Sequence, residues 1–264
     1  MNLLTKITRK VRKVFLPKLK VTPFTQKEYL GTLHYGACTV PKGIFNKDSI
    51  CYTAGAGEDI SFDLSLAQKY QADVYIIDPT PRAIQHFKEL KSHTAEGRPM
   101  PINQNPEFTY GVSKENLKRV SFLPIGLWKN NEEMKFYAPA VESKVSHSIM
   151  NLQKSEKYFV ATVERVSSLM KRLGHQQLDL LKMDIEGAEY QVLKTLGEDS
   201  IRPKVICVAY DEGTKPLDNK YMHRIKASVE GVCDLGYKLI HFEPGKFKTT
   251  FLRTDIYQNM IALN

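Results

Sequence analysis

The chain has 264 residues, 42% of them hydrophobic and 25% charged, which is long enough to bury a large core and unlike disordered, collagen-like or low-complexity chains. It lacks a run of roughly 18 uncharged apolar residues, so no helical membrane span is expected. The formal charge of +9 gathers at the start: residues 1–27 hold eight basic residues and no acid, and thirty basic residues face twenty-nine acidic ones in the remainder, so no nucleic-acid partner is expected.

In residues 1–27 the basic side chains are Lys6, Arg9, Lys10, Arg12, Lys13, Lys18, Lys20 and Lys27. On a helical wheel Leu4, Ile7, Val11, Val14 and Phe15 fall opposite the first five of these, until Pro17 ends the pattern. This is a basic amphipathic leader ahead of a single domain over 28–264. Two placements stand for it: residues 1–20 lie on an anionic membrane surface as a peripheral contact from the cytoplasm, or the apolar face packs on the domain. Charges interrupt any secretory apolar core.

From Ile50 onward short apolar runs alternate with helical patterns, the signature of a parallel sheet covered by helices on both faces. Strands are expected at Ile50–Ala54, Val74–Ile77, Val120–Leu123, Leu178–Met183, Val205–Ala209, Tyr237–Phe242 and Ile256–Ala262. Helices are expected at Asp59–Tyr70, Pro81–Lys91, Val163–Leu173 with Thr162 as N-cap, Ala188–Leu196 and Lys220–Leu235. Residues 92–119 read as a long loop, with room for a short helix, and 128–160 as a small antiparallel hairpin and loop. The turn near Glu243-Pro244-Gly245 is too short for a crossover helix, so the last strand of the seven should run antiparallel to its neighbour. Cys38, Cys51, Cys207 and Cys233 form no CxxC pair and read as reduced, structural thiols of a cytoplasmic protein.

The first of these strands runs into Thr53-Ala54-Gly55-Ala56-Gly57-Glu58-Asp59, and the second ends in Asp78. A glycine turn before a helix lets a ligand approach the backbone, and a carboxylate at the next strand end can accept both hydroxyls of an adenosine ribose. A third glycine is missing, and Glu58 and Asp59 put negative charge where a diphosphate would sit. That favours the cationic S-adenosylmethionine over a dinucleotide.

The strongest signal is Leu180-Leu-Lys-Met-Asp-Ile-Glu-Gly-Ala-Glu-Tyr-Gln-Val-Leu193, a buried strand ending in Asp184 and Glu186 and turning through Gly187 into a helix with Glu189. Carboxylates so close should raise at least one pKa unless a cation or donor network neutralises them. Asp184 with Asp211 and Glu212 offers oxygen ligands for a divalent metal, although no histidine completes the set by spacing.

The Lys182-to-Leu193 segment resembles the signature of the FkbM-type S-adenosylmethionine-dependent methyltransferases. Ala54–Asp63, Asp78-Pro79-Thr80-Pro81 and Pro124-Ile-Gly-Leu-Trp128 are also similar to members of that family. The resemblance implies a Rossmann-like class I methyltransferase: an α/β fold with a seven-stranded, mostly parallel sheet and an antiparallel last strand. It further implies O-methylation of a saccharide, glycolipid precursor or related natural product. Carried onto this chain, it places Thr53, Gly55, Ala56, Gly57, Glu58, Asp59, Asp78, Pro79, Thr80, Ile125, Gly126, Leu127 and Asp184 against the cofactor. An acceptor hydroxyl needs a base, and His147, Asp184 and Glu186 are the candidates. A nicotinamide-dependent oxidoreductase and an inactive binding or scaffold protein are the alternatives.

Overall fold

A computed structural model describes residues 18–32, 36–102, 105–138 and 156–262 of the chain. Residues 1–17 of the leader, and His147 with its loop, lie outside the described residues.

Seven strands form the central sheet: β3 (Ile50–Ala54), β4 (Asp73–Ile77), β7 (Val120–Leu123), β11 (Leu180–Met183), β12 (Val205–Ala209), β13 (Tyr237–Glu243) and β14 (Lys248–Arg253). Their order is β13-β14-β12-β11-β3-β4-β7. Pairing is parallel from β12 through to β7, and β14 runs antiparallel to both of its neighbours. All residues of β11 and β12 are buried, as continuous apolar runs flanked by helices should be.

One face of the sheet carries α1 (Ser61–Tyr70), α2 (Pro81–Glu96) and α3 (Lys114–Leu117), whose Phe62, Leu66, Leu90 and Leu117 share a core cluster with Val74 and Leu180. The other face carries α4 (Val166–Leu173), α5 (Glu189–Glu198) and α6 (Tyr221–Asp234), which bury Leu169, Val192 and Ile225 against Tyr52, Leu181 and Ile206. Pro81 suits the first position of α2 because its missing N–H would have had no partner there. Gly97 and Gly174 end α2 and α4 in the left-handed conformation.

Three smaller sheets flank this layer. β1 (Lys27–Leu30) pairs with β2 (Cys38–Pro41), and β5 (Pro101–Ile102) with β6 (Asn105–Thr109). In the third, β10 (Tyr158–Glu164) lies between β8 (Gly126–Leu127) and β9 (Glu132–Tyr137). Within the stretch read as a loop, residues 92–119, the chain in fact continues α2 to Glu96 and then forms the β5–β6 hairpin and α3.

Two expectations fail. The last strand is Lys248–Arg253, and 254–262 is a helix, α7 (Thr254–Ala262). Ile256, Tyr257 and Met260, at helical spacing, pack on the first core cluster. Thr162 and Val163 belong to β10 rather than to a helix start, and Arg165 takes the N-cap position of α4. Cross-strand pairing with β9 and burial of Val163 beside Trp128 and Phe136 outweigh the helical spacing. Cys38, Cys51 and Cys207 are buried free thiols, and Cys233 is a partly buried one. Among the described residues no helix is long and apolar enough to cross a membrane.

Candidate active site

The chain leaves β3 toward β4 and β7 on one side and later returns to β11 and β12 on the other, so the crevice between β3 and β11 is the topological switch point where open α/β sheets bind ligands. Register brings the sequence motifs together there. Ala54 pairs with Ile77 on one side and Met183 on the other, so Gly55, Asp78 and Asp184 stand side by side one residue further on. The Gly55 amide donates to the Ile77 carbonyl at 3.0 Å, and the Asp184 amide donates to the Ala54 carbonyl at 3.0 Å.

Asp78 is buried, and its carboxylate builds the turn. Oδ2 accepts from the Ala56 and Gly57 amides at 2.8 and 3.1 Å, and Oδ1 from the Thr80 amide and hydroxyl at 2.8 and 2.6 Å. Four donors use the lone pairs that the sequence reading reserved for ribose hydroxyls. Glu58 and Asp59 are likewise engaged by the protein. Arg82 forks onto Glu58, with Nε to Oε1 at 3.0 Å and Nη2 to Oε2 at 2.6 Å. Buried Asp59 accepts from Thr32 Oγ1, the Gly36 amide and the Ser61 amide. These acids brace the glycine turn and the start of α1 instead of facing the crevice uncompensated. Tyr110 adds a further brace: its hydroxyl accepts from the Ile60 amide, donates to the Glu58 carbonyl and meets His86 Nε2 at 2.8 Å. Burial pushes the His86 pKa down, which favours the neutral ring.

The second turn is tighter. Glu186 has φ 50° and Gly187 φ 103°, and a non-glycine residue in the left-handed region costs energy that its surroundings must repay. The Glu186 amide donates to Asp211 Oδ2 at 3.1 Å, and the Gly187 amide to Glu189 Oε2 at 2.9 Å. Asp184 and Glu186 are half-buried, and Lys215 reaches Glu186 at 3.4 Å.

The raised pKa values belong to the acids behind this pair. Burial lifts the fully buried Glu189 to about 8, with Asp184 and Glu186 adding to the shift. Burial also holds Asp211 well above the carboxylate range, again with help from Asp184 and Glu186. Beneath the turn lies the buried Lys182 ammonium. Burial alone would lower its pKa, but the carboxylates of Asp63 and Asp184 outweigh that and hold it above the lysine value.

The remaining expected positions divide between the sheet edge and the core. Gly126 pairs with Val163 of β10, and a Cβ there would lie 2.8 Å from Phe136, so this glycine makes room for protein packing. Leu127 is buried in the core beside α4, while Ile125 is partly buried. Thr53 is buried at the end of β3. Pro79 and Thr80 follow β4 at the same sheet edge. Glu212 does not join Asp184 as a metal ligand. It is buried, paired with Arg224 and accepts from Tyr190 at 3.0 Å, and no cluster of three metal-ligating side chains occurs among the described residues. Sequence reasoning missed Arg224 and Tyr190 because their partner lies on a different element. It placed Glu189 on the helix after Gly187 without a role, although its place inside the KxDIEGxE segment was a usable signal.

A search of curated proteins returned no match. A solved structure described as Methyltransferase FkbM from Methylobacillus flagellatus KT is similar at 13% identity with a TM-score of 0.46, over 79% of this chain and 44% of that one, so this chain spans less than half its length. The model of the methyltransferase FkbM domain matches residues 52–239, well over half of the chain. The matched span runs from β3 into β13 and contains both turns of the crevice; the chain belongs to the FkbM methyltransferase domain family.

Proposed function

We propose that the protein transfers the methyl group of S-adenosylmethionine to a hydroxyl oxygen of a saccharide, glycolipid precursor or related natural product. The observation that supports this most is the meeting of the Gly55 turn with half-buried Asp184 and Glu186 at the switch point of the sheet. In that crevice carboxylates are the groups offered to a ligand, which suits an ammonium and a sulfonium. The same geometry disfavours a dinucleotide. A pyrophosphate site needs the turn amides as donors, and the Ala56 and Gly57 amides already bind the Asp78 carboxylate.

Gly55, Gly57 and Asp184 would hold the cofactor, with Asp78 shaping the turn from behind. When bound, S-adenosylmethionine supplies an electrophilic methyl group on a sulfonium. The chain's own work is to align the acceptor oxygen in line and to take its proton. Asp184 or Glu186 would do so, with His147 as the alternative outside the described residues. Glu189, buried and protonated at neutral pH, is not a base in this scheme.

Titration calorimetry with S-adenosylmethionine, S-adenosylhomocysteine and NAD tests the reading, with Asp184→Ala as control. Both adenosyl ligands should bind, NAD should not, and the variant should bind more weakly. Binding of NAD alone would restore the oxidoreductase alternative, and binding of none would leave a scaffold.

A further inference from the structure

A cavity of about 730 Å³ runs between α5 and α6 on the outside of the second core cluster. Its walls are mainly apolar, with Trp128, Leu193, Leu217, Val232 and Leu235, and Lys194, Glu198 and Arg224 also border it. On α6 the facing residues are small, Ala227, Ser228 and Gly231, and a Cβ built on Gly231 meets nothing within 4 Å. The groove is therefore open space between helices rather than a seam closed by side chains.

One end of this groove is polar. Gly187, Asp211 and Glu212 line it there, and Asp211 is the residue whose carboxylate binds the Glu186 amide of the acidic turn. The cavity thus borders the acidic turn at Gly187 and Asp211 and follows α5 away from it. Ten residues of α5 make it about 15 Å long. Its volume falls in the range of small-molecule sites. A free sugar would leave the apolar walls wet. An amphiphile would bury its chain along Leu193, Val232 and Leu235 and keep its head at the carboxylates.

Resting on the methyltransferase reading, we propose that this groove holds the alkyl chain of an amphiphilic hydroxyl acceptor, a glycolipid-like molecule whose sugar lies at the acidic turn beside Glu186. The groove then selects for acceptors with a chain, and the loop side of the crevice selects the sugar.

The test is calorimetry of the full chain with octyl, decyl and dodecyl maltosides below their micelle thresholds, in the presence of S-adenosylhomocysteine and with maltose as reference. Each added methylene should tighten binding about fourfold while the chain still lengthens inside the groove, which is the transfer value for a buried CH₂. Gly231→Leu should abolish that dependence on chain length. The substitution enters open space on an exposed face of α6 and improves helix propensity, so the fold is kept, and S-adenosylhomocysteine binding in the same runs should be unchanged. Equal affinity across the series in the wild-type protein overturns the proposal. So does a chain-length dependence that survives in Gly231→Leu, because the alkyl chain would then sit elsewhere. Failure of S-adenosylhomocysteine to bind the wild-type protein overturns the methyltransferase reading separately, whatever the maltosides do.

Discussion

Gly55 and Asp184 touch through their backbones: a Cβ on Gly55 would stand 1.8 Å from the Asp184 carbonyl oxygen. With φ +83° as well, the position excludes every side chain for two separate reasons, and the second motif of the site is the direct cause of one of them. Gly43 has a comparable φ of +74° with nothing within 4 Å, so it isolates the conformational cost. Gly43→Ala should destabilise by about 1 kcal/mol, and Gly55→Ala by more than about 3 kcal/mol, since overpacking against the backbone adds to it. Urea unfolding of the two variants makes the comparison. Equal losses would show that β3 and β11 part at no cost.

Asp78 tests whether the first turn is held from within. Asp78→Ala leaves the Ala56 and Gly57 amides without their acceptor, and the expected cost is about 2–4 kcal/mol together with loss of adenosyl-ligand binding. Asp78→Asn keeps one oxygen acceptor and should lose about half as much stability. If Asp78→Ala keeps its melting temperature and loses only ligand binding, the carboxylate belongs to the ligand and not to the turn.

Glu189 makes stability depend on pH. The unfolded carboxyl releases its proton near its ordinary value of 4.5, and the folded one holds it to about 8. Between these values the folded state binds more protons, so stability falls as pH rises, with a slope approaching about 1.4 kcal/mol per pH unit. Glu189→Gln keeps an oxygen for the Gly187 amide and removes the titration. Unfolding midpoints taken between about pH 5 and pH 8 should decline less steeply in this variant than in the wild-type protein. Identical slopes would move the proton to another group.

Arg224 pairs with buried Glu212 and, through Nη2 and Nη1, with Asp218 at 2.9 and 3.1 Å. Arg224→Met strands the Glu212 carboxylate with Tyr190 as its remaining side-chain donor. Because the arginine is about a third exposed, the expected loss is about 1–3 kcal/mol, below that of a fully buried pair. Adding Glu212→Gln should recover part of it. Chemical denaturation of the single and double variants decides, and additive losses would mean the two residues do not interact.

Much of the architecture was legible because it follows from local pattern. Apolar runs such as Val205–Ala209 have one stable home, a strand buried on both faces. The short turn after Glu243 required a reversed last strand. Where two patterns compete, local reading fails. Val163 suits a helix by spacing and joins β10 because β9 offers it a partner. Ile256, Tyr257 and Met260 look like a strand by composition and form α7 because the sheet already has β14 in that place.

The candidate site divides in the same way. The amino-acid sequence by itself determined that a glycine turn, Asp78, and the Asp184–Glu186 pair end three strands, and a parallel sheet brings strand ends to one edge. What each carboxylate does was decided only by tertiary structure. Asp78, Glu58, Asp59 and Glu212 carry the charges of ligand-binding residues, yet each is satisfied by donors distant in the chain, Gly57, Arg82, Thr32 and Arg224 among them. Glu189 became a neutral acid through burial, with Asp184 and Glu186 adding to the shift. A carboxylate's role depends on which donors reach its oxygens and how much water remains around it, and both are set by residues that sequence spacing does not bring near.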